Sequence, residues 1–494
     1  MKRAFSIVSL PPRPGVKGLV TVTVVNPSGR AAMSGSIFGY YYGTITFDPA
    51  SKITVGGSPH HVAVTELENN NKPDIVATDN STVGQIFTVS GNGDGSFNPV
   101  AKYAAGANAY GLKVLDLNAD GFTDVLVANF SNTSGISVLP NSKTGTFPTR
   151  TPIMSGDLPI SLDVKDINND GILDLIVANS GSASNNLTLI TGKAGGTYNT
   201  PIPLTAGNIP RFVQFADVNK DGKSDIIVAN EFSANVSVLI NDGAGNFAVK
   251  KDYQAGSGPY MVQAADFTGD GNVDLLVCLN KDSTVALLTN NGDGTFAAPK
   301  TASLGTAMSS SPTSIALGDV NGDGKMDVLV SNQVSAVNVF IGDGAGGLTA
   351  ANPATIPVGS VPYDLALGDL NNDGKLDVVA TNFNDKTLSI RLGNGNGTFS
   401  NTSTLNTNAG PIGVLISDLN ADKNLDIVVV NQTAGNASIF LGDGTGVFGN
   451  PSTLNLGSGP RQVWGADMNR DGLLDLTFSN SSSSNRSEEH TSEL

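Results

Sequence analysis

"DLNADGFTDVLVAN", Asp116 to Asn129, sets two conflicting demands side by side. Three aspartates and an asparagine within nine residues belong in water or around a cation, whereas VLVA is a continuous apolar run that belongs in a core. The packet returns as DINNDGILD from Asp166, DVNKDGKSD from Asp217, DFTGDGNVD from Asp266 and DVNGDGKMD from Asp319. DLNNDGKLD follows from Asp369, DLNADKNLD from Asp418 and DMNRDGLLD from Asp467, and an eroded copy, ELENNNKPD, begins at Glu66. Successive starts lie 50, 50, 51, 49, 53, 50, 49 and 49 residues apart. A fixed period of this size denotes one supersecondary unit per repeat.

Residues 210–259 show the internal order of a unit. RFVQFAD alternates and leads into the acidic loop, DIIVAN is a continuous apolar run, NVSVLI is a third strand and NDGAGNF a glycine-rich turn. FAVKKDYQAG forms a more polar fourth strand before the next unit opens. The turn closes on Phe97, Phe147, Tyr198, Phe247, Phe296, Phe399 and Phe448, with Leu348 as the exception. Helical periodicity is absent, so the fold class is all-β. Four short antiparallel strands per unit, repeated radially, describe a β-propeller of four-stranded antiparallel blades. A flat solenoid is the alternative, and it would leave long edges unprotected.

Composition narrows the function. Glycine supplies 58 of 494 residues, and only 15% are charged, against about 25% in an average domain. The net charge of −16 argues against a nucleic-acid partner. The eight full packets hold 24 of the 44 acidic residues, three to a packet, so eight divalent cations would cancel the formal excess. Cys278 is the only cysteine and excludes an intrachain disulfide; in LLVCLN it reads as a small buried apolar residue. No apolar run approaches the roughly 18 residues of a membrane span.

The ends read differently from the middle. Residues 1–21 stay unassigned; their apolar patch, Ala4 to Leu10, is cut short by Pro11 and Pro12 and makes a poor signal peptide. Residues 22–59 can be laid against Ile427 to Pro460 and read as a degenerate partial repeat without a metal loop, an immunoglobulin-like tail being the alternative. The repeats occupy 60–485, and the ninth stops after two strands. RSEEHTSEL, 486–494, breaks the composition and reads as a translated sequencing adapter, so the chain is expected to be a fragment of a longer array.

The acidic packet offers oxygen side chains at positions 1, 3, 5 and 9 and glycine at 6, the pattern of a calcium loop. By unit these are Asp116, Asn118, Asp120 and Asp124; Asp166, Asn168, Asp170 and Asp174; Asp217, Asn219, Asp221 and Asp225. They continue with Asp266, Thr268, Asp270 and Asp274; Asp319, Asn321, Asp323 and Asp327; Asp369, Asn371, Asp373 and Asp377. Asp418, Asn420, Asp422 and Asp426, then Asp467, Asn469, Asp471 and Asp475, complete about eight Ca²⁺ sites. An EF-hand would need Glu at position 12 and flanking helices; Val127, Val177 and Val228 stand there instead, between strands. Asn71 and Lys423 replace the glycine, so the Glu66 loop should bind weakly or not at all and the Asp418 loop should be impaired.

These motifs resemble the FG-GAP/VCBS repeat, found in the integrin α-chain propeller and in bacterial surface proteins, over roughly residues 50–480. The resemblance implies a propeller with calcium in the loop between a blade's first two strands. It also implies a seven-bladed ring, here with extra repeats; a single ring of eight or nine blades is the alternative. GDGAGG, Gly342 to Gly347, matches a dinucleotide fingerprint, but no helix follows, so it reads as a hairpin turn. Asn129, Asn179, Asn230, Asn280, Asn332, Asn382, Asn431 and Asn480 end the second strands and read as turn caps. Each unit's first strand opens near a proline, followed by a variable side chain: His60, Tyr110, Arg211, Tyr260, Tyr363 or Arg461. Such residues ringed around a channel are the candidate ligand-binding set, with packing of the channel mouth as the alternative. No nucleophile–base arrangement stands out. The expected protein is a non-catalytic, calcium-binding, extracellular adhesion or ligand-binding module for a protein or glycan, exported by a signal missing from this fragment. Alternatives are an accessory module of a secreted polysaccharide-degrading enzyme and a structural spacer.

Overall fold

The computed structural model describes residues 21–25, 51–54 and 59–480, apart from 95, 132–134, 182–185, 194–195, 306–311, 333–334 and 468–472. Every regular element among them is a β-strand. The strands form nine four-stranded antiparallel sheets and one two-stranded hairpin, Gly192–Lys193 with Thr197–Tyr198. Sheets one to eight occupy 59–104, 109–153, 159–205, 210–254, 259–303, 312–357, 362–406 and 411–455. Within each, the strands pair in chain order; we call them a to d.

The apolar run of strand b follows from its place between two cores. In the fourth sheet, strand b is Asp225–Asn230 and is buried throughout. Ile227 and Ala229 enter the core shared with the fifth sheet, whereas Ile226 and Val228 enter the core shared with the third. Successive side chains point to opposite faces, so both faces must be apolar. Each fully buried Val or Ile contributes about 1.5–3 kcal/mol. Strand d, Val249–Gln254, lies at the sheet edge and buries only Tyr253.

The ninth sheet is composite. Pro460–Ala466 and Asp475–Asn480 supply strands a and b, Thr21–Val25 pairs antiparallel with Asp475–Asn480 as strand c, and Ser51–Thr54 pairs outside it as strand d. Laying Val22 against Ile427 places the early segment at a second-strand position; in the structure Asp475–Asn480 holds that position and the early strand takes the third. Trp464 of this sheet packs on Val62, Ile75, Ala77, Phe87 and Val89 of the first sheet. The eighth and ninth sheets share Val428, Val430, Leu476 and Phe478. Of the arrangements open to this chain, these contacts are those of a single succession of nine sheets.

The a–b hairpins carry the acidic loops and the c–d hairpins carry the glycine turns. Side chains also stitch neighbouring a strands together. Asp163 in the third sheet accepts from Lys113 Nζ of the second at 2.6 Å and from the Phe215 amide of the fourth at 2.9 Å. Asp364 in the seventh accepts from Ser314 Oγ of the sixth at 3.0 Å and from the Val414 amide of the eighth at 3.1 Å.

Candidate metal loops and ligand-binding face

The acidic loops are built by side chains that accept from their own backbone. In the second unit, Asp116 Oδ1 accepts from the Asp120 amide at 3.1 Å and Oδ2 from the Gly121 amide at 2.8 Å. Asn118 Oδ1 also accepts from Asp120, at 2.9 Å, and Asp120 Oδ1 accepts from Phe122 at 3.0 Å. The bond from position 6 to position 1 recurs at Asp166, Asp217, Asp266, Asp319, Asp369 and Asp418. It requires a left-handed residue at position 6, where Gly121 has φ 87° and Gly222 82°. Lys423 adopts the same conformation at φ 74° and makes the same bond, at 2.9 Å, despite its Cβ. The loop of the eighth unit therefore keeps its shape at a backbone cost of about 1–2 kcal/mol.

Position 9 does something the spacing alone does not reveal. Asp225 is fully buried; its Oδ2 accepts from the Val218 amide at 3.0 Å and its Oδ1 from the Asn241 amide, which opens the glycine turn, at 2.9 Å. This double bond locks the a–b loop to the c–d turn. Asp74, Asp124, Asp174, Asp274, Asp327, Asp377 and Asp426 repeat it. Burial pushes the Asp225 carboxyl up to about 6, opposed by those two amides and reinforced by Asp221 and Asp217. Asp74, Asp124 and Asp426 are likewise raised to about 6, burial again leading.

The turns reach across to the neighbouring unit. Asn290 Nδ2 donates to the Val218 carbonyl of the preceding unit's acidic loop at 2.6 Å. Asn241 bonds Ile167 in the same way at 2.8 Å, and Asn141 bonds Leu67 at 2.7 Å. The asparagines that end strand b are buried as well. Asn230 Nδ2 donates to Asn235 Oδ1 and Ser237 Oγ, and its Oδ1 accepts from the Gly207 amide. These residues fasten strand b to strand c and to the link from the preceding unit, more than a turn cap does.

A cation in these loops would meet a defined donor set. Among the described residues no three Asp, Glu, His or Cys side chains gather into a metal cluster on their own. Positions 1, 3 and 5 therefore bring two carboxylates and one amide, or a threonine hydroxyl in the fifth unit, to be completed by main-chain oxygens. In units one to eight each position 9 oxygen already accepts an amide and keeps a second lone pair. Asp217 Oδ1 is buried without a hydrogen-bond partner, which fits an oxygen held for a cation. Lys223, Lys325 and Lys375 place ammonium groups 3.5, 3.8 and 3.2 Å from the position 5 carboxylates Asp221, Asp323 and Asp373. In the first unit Glu66 Oε1 takes the role of position 1, accepting from Asn70 at 2.8 Å. In the ninth unit Asn469 and Asp471 lie outside the described residues, while Asp475 is buried.

The opposite hairpin ends hold the candidate ligand residues, and all of them sit at a β-bulge. The a–b pairing skips between Pro210 and Phe212, leaving Arg211 as the extra residue. The same skip falls on Tyr110, Tyr260 and Arg461, and a wider break takes in His60 with His61 and Tyr363 with Asp364. A bulge bends the strand and re-aims its side chain, a device concentrated next to functional sites. Of the side chains themselves, those of His60 and Tyr110 lie outside the described residues. Arg211 Nε pairs with Glu231 Oε2, and Lys281 Nζ lies 3.3 Å from Glu231 Oε1. Lys281 also stands 5.9 Å over the ring of Phe232, which is 68% exposed. Burial raises the Tyr260 hydroxyl pKa, with Arg211 opposing and Glu231 and Tyr363 adding. Tyr363 packs on the core between the eighth and ninth sheets and against Phe383, with ring centroids 6.3 Å apart, so it fills as much as it presents.

Arg211 and Tyr260 are thus brought together, and Glu231, Phe232 and Lys281 join them unforeseen. Their signal was present in the sequence: Glu231 and Lys281 directly follow Asn230 and Asn280, where the residue type changes from unit to unit. No single repeat exposes that pattern, and the bulge that places the two variable positions side by side is invisible to strand alternation.

The family comparison agrees with the repeat architecture. The model of the FG-GAP-like repeat matches residues 66–127, 116–177, 166–228, 217–277, 266–330, 319–380, 369–429 and 418–478. No curated protein matches the chain. Solved structures that resemble it include an Agrocybe aegerita lectin described with non-reducing terminal N-acetylglucosamine, at 20% identity and TM-score 0.40, covering 73% of this chain and 95% of that one. Saccharomyces cerevisiae Sqt1 is 9% identical with TM-score 0.49, covering 76% and 93%. The exotype rhamnogalacturonan lyase YesX is 11% identical with TM-score 0.43, covering 80% and 75%. The family match spans most of the chain and coincides with the sheets and their acidic loops: the protein belongs to the FG-GAP-like repeat family.

Proposed function

We propose that the protein is a calcium-loaded, non-catalytic module that works outside the cell and binds a protein or glycan ligand across its bulge face. One observation carries the binding reading: a β-bulge recurs at the start of strand a from unit to unit while the side chain at it changes from arginine to tyrosine to histidine. Packing alone would favour one residue type at equivalent positions. The non-catalytic reading rests on chemistry, since His60, His61 and His490 are the only histidines and no activated nucleophile is evident.

In this reading Asp217, Asn219 and Asp221, with their counterparts, hold the cation, and Asp225 orients the loop around it. Bound calcium neutralises carboxylates that would otherwise repel one another. Loops of the extracellular class, with Kd about 10⁻⁴ to 10⁻³ M, would fill outside a cell and stay empty within it. Among the described residues no helix is long and apolar enough to cross a membrane.

The test is a binding comparison on glycan arrays and on cell surfaces with Arg211→Ala/Lys281→Ala/Arg461→Ala. These side chains are only partly buried, so the variant should fold and lose at least about tenfold in affinity, as truncated charged anchors do. Binding that survives this change and disappears when Asp242 and Asp293 in the glycine turns are replaced would move the site to the other face.

A further inference from the structure

The acidic loops share their aspartates but not their charge environment. In the fourth, sixth and seventh units a lysine stands at position 7, two residues after the position 5 carboxylate. Lys223 Nζ lies 3.5 Å from Asp221 Oδ2 and donates to the Asp242 carbonyl of the glycine turn at 2.9 Å. Lys325 repeats both contacts, at 3.8 Å to Asp323 and 2.8 Å to the Asp343 carbonyl. Lys375 lies 3.2 Å from Asp373. All three stems run along the turns, since a Cβ on Gly243, Gly344 or Gly395 would come within 2.8 Å of a lysine carbon. The ammonium is thus held at the loop and does not trail into solvent.

The third unit puts Ile172 in that place, with a methyl 2.6 Å from where a Cβ on Gly192 would lie. Its Asp170 Oδ2 accepts from the neutral Asn168 side-chain amide at 3.0 Å, and no ion pair reaches it among the described residues. The fifth unit has Asn272, which donates to Asp270 Oδ2 at 2.9 Å, although Lys220 of the fourth unit stands by its Gly271. In the second unit Lys143, more than half exposed, reaches Asp120 from the turn side at 3.6 Å. Those two loops are mixed cases, and the third is the clean reference.

We propose that Lys223, Lys325 and Lys375 set calcium affinity, holding the fourth, sixth and seventh loops to weaker binding, so that the third loop fills before them as calcium rises. This rests on the calcium reading above, which the buried, unpartnered Asp217 Oδ1 of the fourth loop supports. Partly exposed ion pairs of this kind add little stability. Their consequence is local, because each sets a positive charge beside a carboxylate that a divalent cation must share. At about 6 Å from such an ion, a unit charge lowers its affinity roughly three- to tenfold in water at moderate salt. The array then responds to calcium over a broad range and not at one threshold.

Hydrogen exchange on the full chain at stepped calcium concentrations, read on peptides covering 166–174, 217–225, 319–327 and 369–377, gives a midpoint for each loop. The third loop should reach its midpoint at a calcium concentration at least about threefold below the other three. Lys223→Met keeps a stem along the turn and removes the charge. It should lower the fourth loop's midpoint at least about threefold and leave the third's unchanged. Ile172→Lys is the converse and should raise the third loop's midpoint by as much. Higher ionic strength should narrow the gap, because these charges face solvent. If no loop gains protection on adding calcium, the calcium reading fails and this inference with it. Loops that gain protection at one common midpoint, or a fourth-loop midpoint indifferent to Lys223→Met, overturn this inference alone.

Discussion

Replacing Asp225 by alanine separates the two jobs that one acidic packet performs. Asp225 is fully buried and holds the Val218 amide at 3.0 Å and the Asn241 amide at 2.9 Å. Alanine leaves both donors without a partner in a site that water does not reach. At about 1–3 kcal/mol for each stranded donor, the fourth unit should lose roughly 2–6 kcal/mol with or without calcium. Asp221→Ala is the matched control. Asp221 is exposed; its Oδ1 accepts the Lys223 amide at 3.0 Å and its Oδ2 meets Asn219 Nδ2 at 3.3 Å and Lys223 Nζ at 3.5 Å, solvent-exposed contacts whose loss without metal should cost no more than about 1 kcal/mol. With calcium at ten times Kd, the same change should remove a further ~1.4 kcal/mol by mass action. Repeat arrays need not unfold in one step. The assay is therefore hydrogen exchange read on peptides covering 213–247, in EDTA and in calcium. Asp225→Ala should accelerate exchange at Val218 and Asn241 in both conditions, whereas Asp221→Ala should do so only relative to the calcium-bound wild type. Equal effects of the two substitutions in EDTA would refute the clamp.

Further outcomes follow from single residues. Lys423→Gly should stabilise the eighth unit by about 1–2 kcal/mol, because it removes a Cβ from the left-handed region while keeping the amide bond to Asp418; a melting curve checks it. Asn290→Ala should loosen the fourth unit's acidic loop as well as its own turn, since its amide spans the two at 2.6 Å, and exchange at both places measures this. Asp364, whose pKa burial raises above the usual 3.8, holds its proton to higher pH folded than unfolded. Its contribution is therefore largest below pH 3.8 and is lost as pH rises through the folded value. Asp364→Asn, compared with wild type by urea unfolding in EDTA, should gain in relative stability between pH 4 and 7.

Much of this was legible along the chain, and what was not has identifiable causes. DIIVAN announces a strand buried on both faces because Ile226 and Ile227 must both be apolar, and the structure sends them to different cores. The acidic hairpins and glycine turns were readable because each repeats a local rule: left-handed glycine at position 6 and Asx bonds two to five residues away. The composite ninth sheet was not, because Thr21–Val25 pairs with Asp475–Asn480 across nearly the whole chain, and strand alternation carries no partner information. Asp225 reads as one more ligand until its two amide donors, from different hairpins, are seen to converge on it.

The calcium-loaded propeller is the central claim, and paired thermal melts test it most directly. With 10 mM calcium and Kd near 10⁻³ M, each occupied loop should add about 1.4 kcal/mol to the folded state. Several loops acting together should raise the melting temperature by many degrees over the same protein in EDTA at equal ionic strength. Calcium restored after chelation should return the higher value. Superimposable melts in calcium and in EDTA, at neutral pH and moderate salt, would contradict the account.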